Sequence, residues 1–199
     1  MTEFLTAHWL DIVTTVLGLA YILLEYKASI WMWAVGFAMQ AMGIVLYYQK
    51  GLYADCGMEF YYLAMTMYGY WKWIHGNISK EALPIRHFPR KAIGYWLLVI
   101  GIIWGIIYWI LVSFTNSNVP LADSFTTALS IVGIWALAHK YLEQWFIWIA
   151  VDVVTCGLYF YKDIPFKASL YALYVVIAVF GYIKWRRMMQ ASTAPESQR

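Results

Sequence analysis

Apolar residues run along this chain in long, nearly unbroken stretches, and no polar face recurs within them at the helical period. Seven such stretches lie at about residues 9–25, 30–48, 56–74, 92–113, 121–138, 143–161 and 166–185. Each approaches the roughly 20 residues that a helix needs to cross a bilayer. A soluble helix would show a polar face, and these mostly do not, although several are dotted with polar groups. Short turns join them, with one exception. Residues 75–91 (HGNISKEALPIRHFPRK) carry Lys80, Arg86, Arg90 and Lys91 and two prolines. The pattern predicts an all-α integral membrane protein with seven transmembrane helices.

Composition agrees. The chain is 63% hydrophobic and 13% charged, against about 45–50% and 25% in soluble domains. A net charge of +3 without a block of interleaved Lys and Arg gives no basis for a nucleic-acid partner. Cys56 and Cys156 lie in or beside apolar runs, with no CxxC or His-rich spacing, so two apolar thiols are expected and no metal site or cofactor. The opening MTEFLTAHWLD has neither a basic leader nor a small-residue cleavage site and reads as mature chain. The tail after Gln190 (ASTAPESQR) reads as disordered.

Basic residues set the expected orientation. With the basic loop inside, the N-terminus is outside and the C-terminus cytoplasmic. Eleven Lys and Arg then lie inside: Lys27, Lys72, Lys80, Arg86, Arg90, Lys91, Lys140, Lys184, Arg186, Arg187 and Arg199. Only Lys50, Lys162 and Lys167 lie outside.

Sliding the chain over itself by 112 residues exposes a repeat. Asp11, Thr14 and Thr15 fall on Asp123, Thr126 and Thr127; Trp33 falls on Trp145; Leu46, Tyr47 and Lys50 fall on Leu158, Tyr159 and Lys162. Tyr62 meets Tyr174, and the Gly-Tyr-x-Lys-Trp of 69–73 meets that of 181–185. About fifteen of sixty-three positions agree without a gap. The organisation expected is a first three-helix bundle with its basic loop over 1–91, a linker helix and outer loop over 92–120, a second bundle over 121–190 and the tail 191–199. Four spans separate equivalent positions, so the two repeats run parallel. Parallel repeats are a transporter architecture, with solute held between the units near mid-depth. The repeated motif itself reads as the end of each bundle's third helix. Gly69 and Gly181 allow close helix contact there, and Lys72 with Trp73, and Lys184 with Trp185, anchor at the headgroups.

Charges at membrane depth cost at least about 2.5 kcal/mol each on insertion scales and tend to face cavities. Asp11 and Asp123, in D-x-x-T-T near span starts, read as helix caps or as a pair across the repeats. Glu59 and Asp152 lie well inside spans. Trp145, Trp148 and Asp152 are spaced i, i+3, i+7, which puts two indoles and a carboxylate on one face, and Tyr159 continues it. The repeat counterpart carries Trp33, Gly36 and Gln40. Glu59 and Tyr62 share a face of the third span. Such a face suits a flat cationic aromatic solute, because cation–π contact with a desolvated ring contributes about 2 kcal/mol or more. Trp9, Trp31, Trp71, Trp96, Trp109 and Trp185, near span ends, read as an interfacial belt.

GLYAD (51–55), YGYWKW (68–73), WFIWIAVDVV (145–154), GLYFYKD (157–163) and GYIKWRR (181–187) together resemble the PnuC family of bacterial vitamin transporters, over about residues 10–188. The resemblance implies a SWEET-like fold of two parallel three-helix bundles joined by a linker helix, in the bacterial inner membrane. It implies facilitated diffusion of an unphosphorylated vitamin, by default nicotinamide riboside, with thiamine carried by some members. It further implies a homotrimer in membrane lipid, trapping of the vitamin by a cytosolic kinase, and Trp145, Trp148 and Asp152 on the substrate face. Two positions depart from the riboside pattern, Ile134 standing where a Gln is frequent and Glu59 where an amide is. The expected binding set is therefore Trp145, Trp148, Asp152, Glu59, Tyr62, Gln40, Trp33 and Tyr159. An intramembrane enzyme fits poorly, since His8, His75, His87 and His139 fall at span ends or loops without paired ligands. A proton-coupled carrier would titrate Asp152 or Glu59.

Overall fold

In the computed structural model, residues 13, 16–49, 53–76, 83–115, 117–161, 163 and 165–193 are described, and they contain seven α-helices. These are α1 (Val16–Tyr26), α2 (Trp31–Gln49), α3 (Tyr53–His75), α4 (Ile93–Phe114), α5 (Pro120–Ala138), α6 (Gln144–Tyr161) and α7 (Pro165–Thr193). A short 3₁₀ turn, Arg90–Ala92, leads into α4. No strand occurs among the described residues, and a single parallel bridge joins Arg86 to Tyr141.

Five of these segments are long and apolar enough to cross a membrane: α2, Arg90–Phe114, α5, α6 and Lys167–Ser192. α3 falls short of that measure because Asp55, Glu59 and Lys72 interrupt a tyrosine-rich stretch. From the first run the continuous described helix is Val16–Tyr26. Asp11, Thr14, Thr15, Trp9, Lys50 and Lys80 lie outside the described residues. α7 continues three residues beyond Gln190, so Ala191–Thr193 are helical where a disordered tail was expected.

The chain divides into two compact units, Met1–Leu83 and Pro84–Arg199. In the first, α2 packs on α3; in the second, α4 packs on α5, α5 on α6 and α6 on α7. α5 is the buried centre of the second unit, with Ser124, Ala128, Leu129, Val132, Gly133, Ile134, Ala136, Leu137 and Ala138 all enclosed. Its start is set by Pro120 in the first turn, where the missing N–H removes no helical bond. α4 has no buried residue and lies at that unit's edge.

The 112-residue repeat is written in the backbone. Ala28 and its counterpart Lys140 both adopt left-handed geometry, at φ 50 and φ 51. Ala28 N–H donates to Glu25 O at 2.8 Å, and Lys140 N–H to Leu137 O at 2.9 Å. Ser29 N–H donates to Leu24 O at 2.9 Å, and Tyr141 N–H to Ala136 O at 3.0 Å. Each bond has its partner 112 residues on, so the α1–α2 and α5–α6 corners share one conformation. The thiols follow the repeat with their helices exchanged. Cys56 on α3 donates to Ile44 O on α2, whereas Cys156 on α6 donates to Ala168 O on α7.

Candidate functional site

Each bundle closes on a Trp–Gly–Trp lock. Trp33 on α2 is 1% exposed, and its ring lies so close to Gly69 on α3 that an added Cβ would sit 2.5 Å from Cζ2. Trp73, one turn on, meets the same indole edge-on, with centroids 5.4 Å apart. In the second bundle Trp145 fills the notch at Gly181, where a Cβ would sit 2.5 Å from Cη2, and Trp185 meets it edge-on at 5.7 Å. Trp73 and Trp185 are therefore core residues, 3% and 0% exposed, and neither is a headgroup anchor. The glycine four residues earlier opens the seam, and the tryptophan seals it. Trp31, Trp71 and Trp109 are more than half exposed at helix ends, while Trp96 stacks on Trp135 at 4.1 Å.

Above the locks the bundles diverge by a size exchange. In the first, the Tyr21 ring on α1 reaches to within 3.1 Å of where a Cβ on Gly36 would lie. In the second, the counterpart of Tyr21 is Gly133 and that of Gly36 is Trp148. The Trp148 ring there lies over Gly133, whose Cβ would meet Cζ2 at 3.3 Å. One aromatic plate thus fills the same level in both bundles but comes from the first helix in one and the second helix in the other. Trp148 is partly exposed, and its indole N–H has no hydrogen-bond partner.

One turn deeper lie the polar residues. On α6, Asp152 is 6% exposed, with the Tyr174 phenol of α7 within its electrostatic reach. Tyr174 meets Tyr171 edge-on at 5.6 Å, and Tyr171 stacks on Tyr159 at 5.4 Å. Lys167 Nζ stands 5.4 Å from the Tyr159 centroid. A tyrosine stair therefore leads from the α6–α7 corner down to the carboxylate. The same three positions in the first bundle hold Gln40, Glu59 and Tyr62, all half-buried. The Glu59 side chain crosses to α2, where a Cβ on Gly43 would sit 2.7 Å from its Cδ.

Of the eight residues expected from sequence, Trp148, Asp152 and Tyr159 fall together in the second unit. Gln40, Glu59 and Tyr62 fall at matching levels of the first. Trp33 and Trp145 are enclosed in the helix seams. Tyr171 and Tyr174 were missed, although their offsets from Glu59 and Tyr62 mark them. Glu25, 4% exposed at the end of α1 and interacting with Tyr21, was missed as well. Asp123 has a local role: its carboxylate accepts from the Ser117 hydroxyl at 2.8 Å and its carbonyl from Thr127 at 2.7 Å.

An enclosed carboxyl group flanked by indole and phenol rings can hold a planar solute that carries positive charge or hydrogen-bond donors. The chain is similar to the riboflavin/roseoflavin transporter RibM of Streptomyces davaonensis, at 25% identity over 89% of this chain and 84% of that protein. It is similar to the nicotinamide riboside transporter PnuC of Escherichia coli, at 24% identity with the same coverages. Its fold matches the crystal structure of the vitamin B3 transporter PnuC, with a TM-score of 0.73 at 21% identity, over 95% of this chain and 85% of that one. The model of the nicotinamide mononucleotide transporter family matches residues 8–187, and the chain, a multi-pass membrane protein, belongs to that family.

Proposed function

We propose that this protein carries an unphosphorylated, flat, cationic vitamin across the bacterial inner membrane by facilitated diffusion, with nicotinamide riboside the first candidate. One observation carries the reading. Asp152 lies mid-helix and nearly enclosed, with Trp148 one turn away and Tyr174 facing it, where the first bundle has the neutral Gln40. A carboxylate there complements a pyridinium, and the indole face adds about 2 kcal/mol or more once desolvated. A phosphate on the solute would bring a second anion beside Asp152 and be repelled. That favours the riboside over its nucleotide and leaves phosphorylation by a cytosolic kinase as the trapping step. The excess of Lys and Arg in the loops expected inside supports a cytoplasmic C-terminus. A homotrimer is the assembly that goes with this reading.

Thiamine, also a flat cation, is the second candidate because Glu59 stands where an amide is frequent in riboside carriers, and a carboxylate suits an aminopyrimidine. Riboflavin, suggested by the relative RibM, has no positive charge and no need of Asp152. Titration of the purified protein with each vitamin, followed by tryptophan fluorescence, separates them. Nicotinamide riboside is expected to bind, and Asp152→Asn to raise its Kd at least tenfold, about 1.4 kcal/mol. Unchanged affinity in Asp152→Asn would sink the cationic reading. Riboflavin binding that ignores the substitution would move the assignment to the neutral flavin. Accumulation above equilibrium in proteoliposomes under a pH gradient would replace facilitated diffusion with proton coupling.

A further inference from the structure

Within the second unit, the segment before α4 folds back as a strap across the α5–α6 corner. Arg86 N–H donates to Lys140 O at 3.1 Å, and Leu142 N–H donates to Arg86 O at 2.9 Å. Phe88 N–H donates to Glu143 Oε2 at 2.8 Å, and His87 Nδ1 lies 2.8 Å from Glu143 Oε1. The Arg86 guanidinium covers the Tyr141 ring at 4.8 Å. Below the strap runs a groove of about 570 Å³, lined among others by Arg90, Ile93, Leu97, Val132, Gln144 and Ile147.

Gln144 makes this groove unusual. It is 0% exposed, and neither its amide nitrogen nor its amide oxygen has a hydrogen-bond partner. Leaving a buried amide without a partner is destabilising, because its lost hydration is not replaced. Its repeat counterpart is Met32, also 0% exposed, so the backbone at this position accepts an apolar side chain. The first bundle fills the place with a thioether; the second sets a donor and an acceptor there, beside a groove.

The rest of the lining selects the occupant. Arg90 stands at the polar end, and Glu143, the one acid there, is engaged by His87 and the Phe88 N–H. Ile93 and Leu97 are 46% and 64% exposed, so the groove is open along its length toward the bilayer. From Arg90 to Ile100, both in the lining, a helix rises about 15 Å. That is half of a hydrocarbon core about 30 Å thick, the depth of one leaflet.

We propose that this groove holds one anionic phospholipid from the leaflet at the basic end of the protein. Its phosphate meets Arg90, an ester carbonyl or glycerol hydroxyl meets the Gln144 amide, and one acyl chain lies along Ile93, Leu97, Val132 and Ile147. The site is separate from Asp152 and Trp148 and does not depend on which vitamin is carried.

Lipid retained by the full-length protein, taken from vesicles of phosphatidylglycerol and phosphatidylcholine into mild detergent, is counted by native mass spectrometry. Wild type is expected to keep one lipid with a preference for phosphatidylglycerol. Gln144→Met, which copies the first bundle, is expected to lower retention at least tenfold. Arg90→Gln is expected to abolish the headgroup preference while a lipid is still held. Vitamin affinity is expected to stay unchanged in both variants, which separates this site from the transport site. Wild-type retention in Gln144→Met would overturn the proposal, as would equal retention of the two lipids. Competition by soluble glycerol phosphate would show a free-anion site, and an altered oligomeric state with retention intact would show a contact between copies; either would also overturn it.

Discussion

The first bundle holds Tyr21 over Gly36 where the second holds Trp148 over Gly133, and Gln40 where the second holds Asp152, yet both close on the same Trp–Gly–Trp lock. What repeats is what a three-helix bundle needs in order to pack: the corner at Ala28 or Lys140, the notch at Gly69 or Gly181, the indole that fills it. What differs lies one to three turns deeper, on the helix faces that carry polar groups. The repeats share a frame, and at the polar level they differ in charge: Asp152 stands where the first bundle has Gln40, and Tyr171 where it has Glu59. A residue's counterpart is thus a guide to its role. Trp33 and Trp145 share burial, partner glycine and an unpaired indole N–H, which marks them as frame. Trp148 and Asp152, whose repeat counterparts are Gly36 and Gln40, depart from the frame and are the residues we propose to hold the solute.

The sharpest break of that comparison is at the locks. Gly69→Ala and Gly181→Ala each drive a methyl into a fully enclosed indole with no room to turn. Overpacking of this kind costs about 1–3 kcal/mol. Both variants are expected to lose several degrees of melting temperature by nearly equal amounts, followed by tryptophan fluorescence in detergent. Trp145→Phe should partly rescue Gly181→Ala, because the smaller ring vacates the space the methyl takes. Unequal losses would mean that the two locks are not equivalent.

At the aromatic plate the bundles should part. Trp148→Ala is expected to weaken vitamin binding at least tenfold, about 1.4 kcal/mol, while Tyr21→Ala leaves affinity within about threefold and acts on melting temperature alone. Equal effects of the two on affinity would place the solute against both plates and remove the asymmetry drawn here.

The sequence showed the frame more clearly than the site. Seven apolar runs, the 112-residue offset and the paired Gly-Tyr-x-Lys-Trp can be read without coordinates, because membrane spans and duplications leave long-range periodic signals. Trp73 and Trp185 read as anchors because a tryptophan beside a lysine at a span end is what an interfacial belt looks like. Only the facing indole shows that the ring turns inward. The exchange of Tyr21 and Gly36 for Gly133 and Trp148 was hidden for another reason. A compensated swap registers as two mismatches, so counting identities discards it. Residues 84–89 read as a basic connecting loop, and nothing local announces their bonds to Lys140, Leu142 and Glu143, more than fifty residues away.

The finest contrast lies at the shared corner. Ala28 and Lys140 both hold a left-handed φ, which favours glycine over residues with a Cβ. Ala28→Gly is therefore expected to stabilise the protein by a few tenths of a kcal/mol up to about 1 kcal/mol, the relief of Cβ strain offset by the freedom glycine adds to the unfolded chain. Lys140 adds a charge to the same geometry. It lies in the α5–α6 corner outside the spans, and burial lowers its pKa from the usual 10.5 to about 8. Between those values the unfolded chain binds a proton that the folded protein does not, so stability rises with pH from about 8 to about 10.5 and the effect ends above that window. Below pH 8 both states are protonated and the full penalty of the buried ammonium applies. Lys140→Met is expected to raise the melting temperature at pH 7 and to flatten the rise from pH 8 to pH 10, whereas Ala28→Gly shifts the curve by the same amount at every pH. The difference between wild type and each variant, measured across that range, separates corner strain from corner charge. A parallel shift in Lys140→Met would show that the lysine's cost is geometric, like that of Ala28.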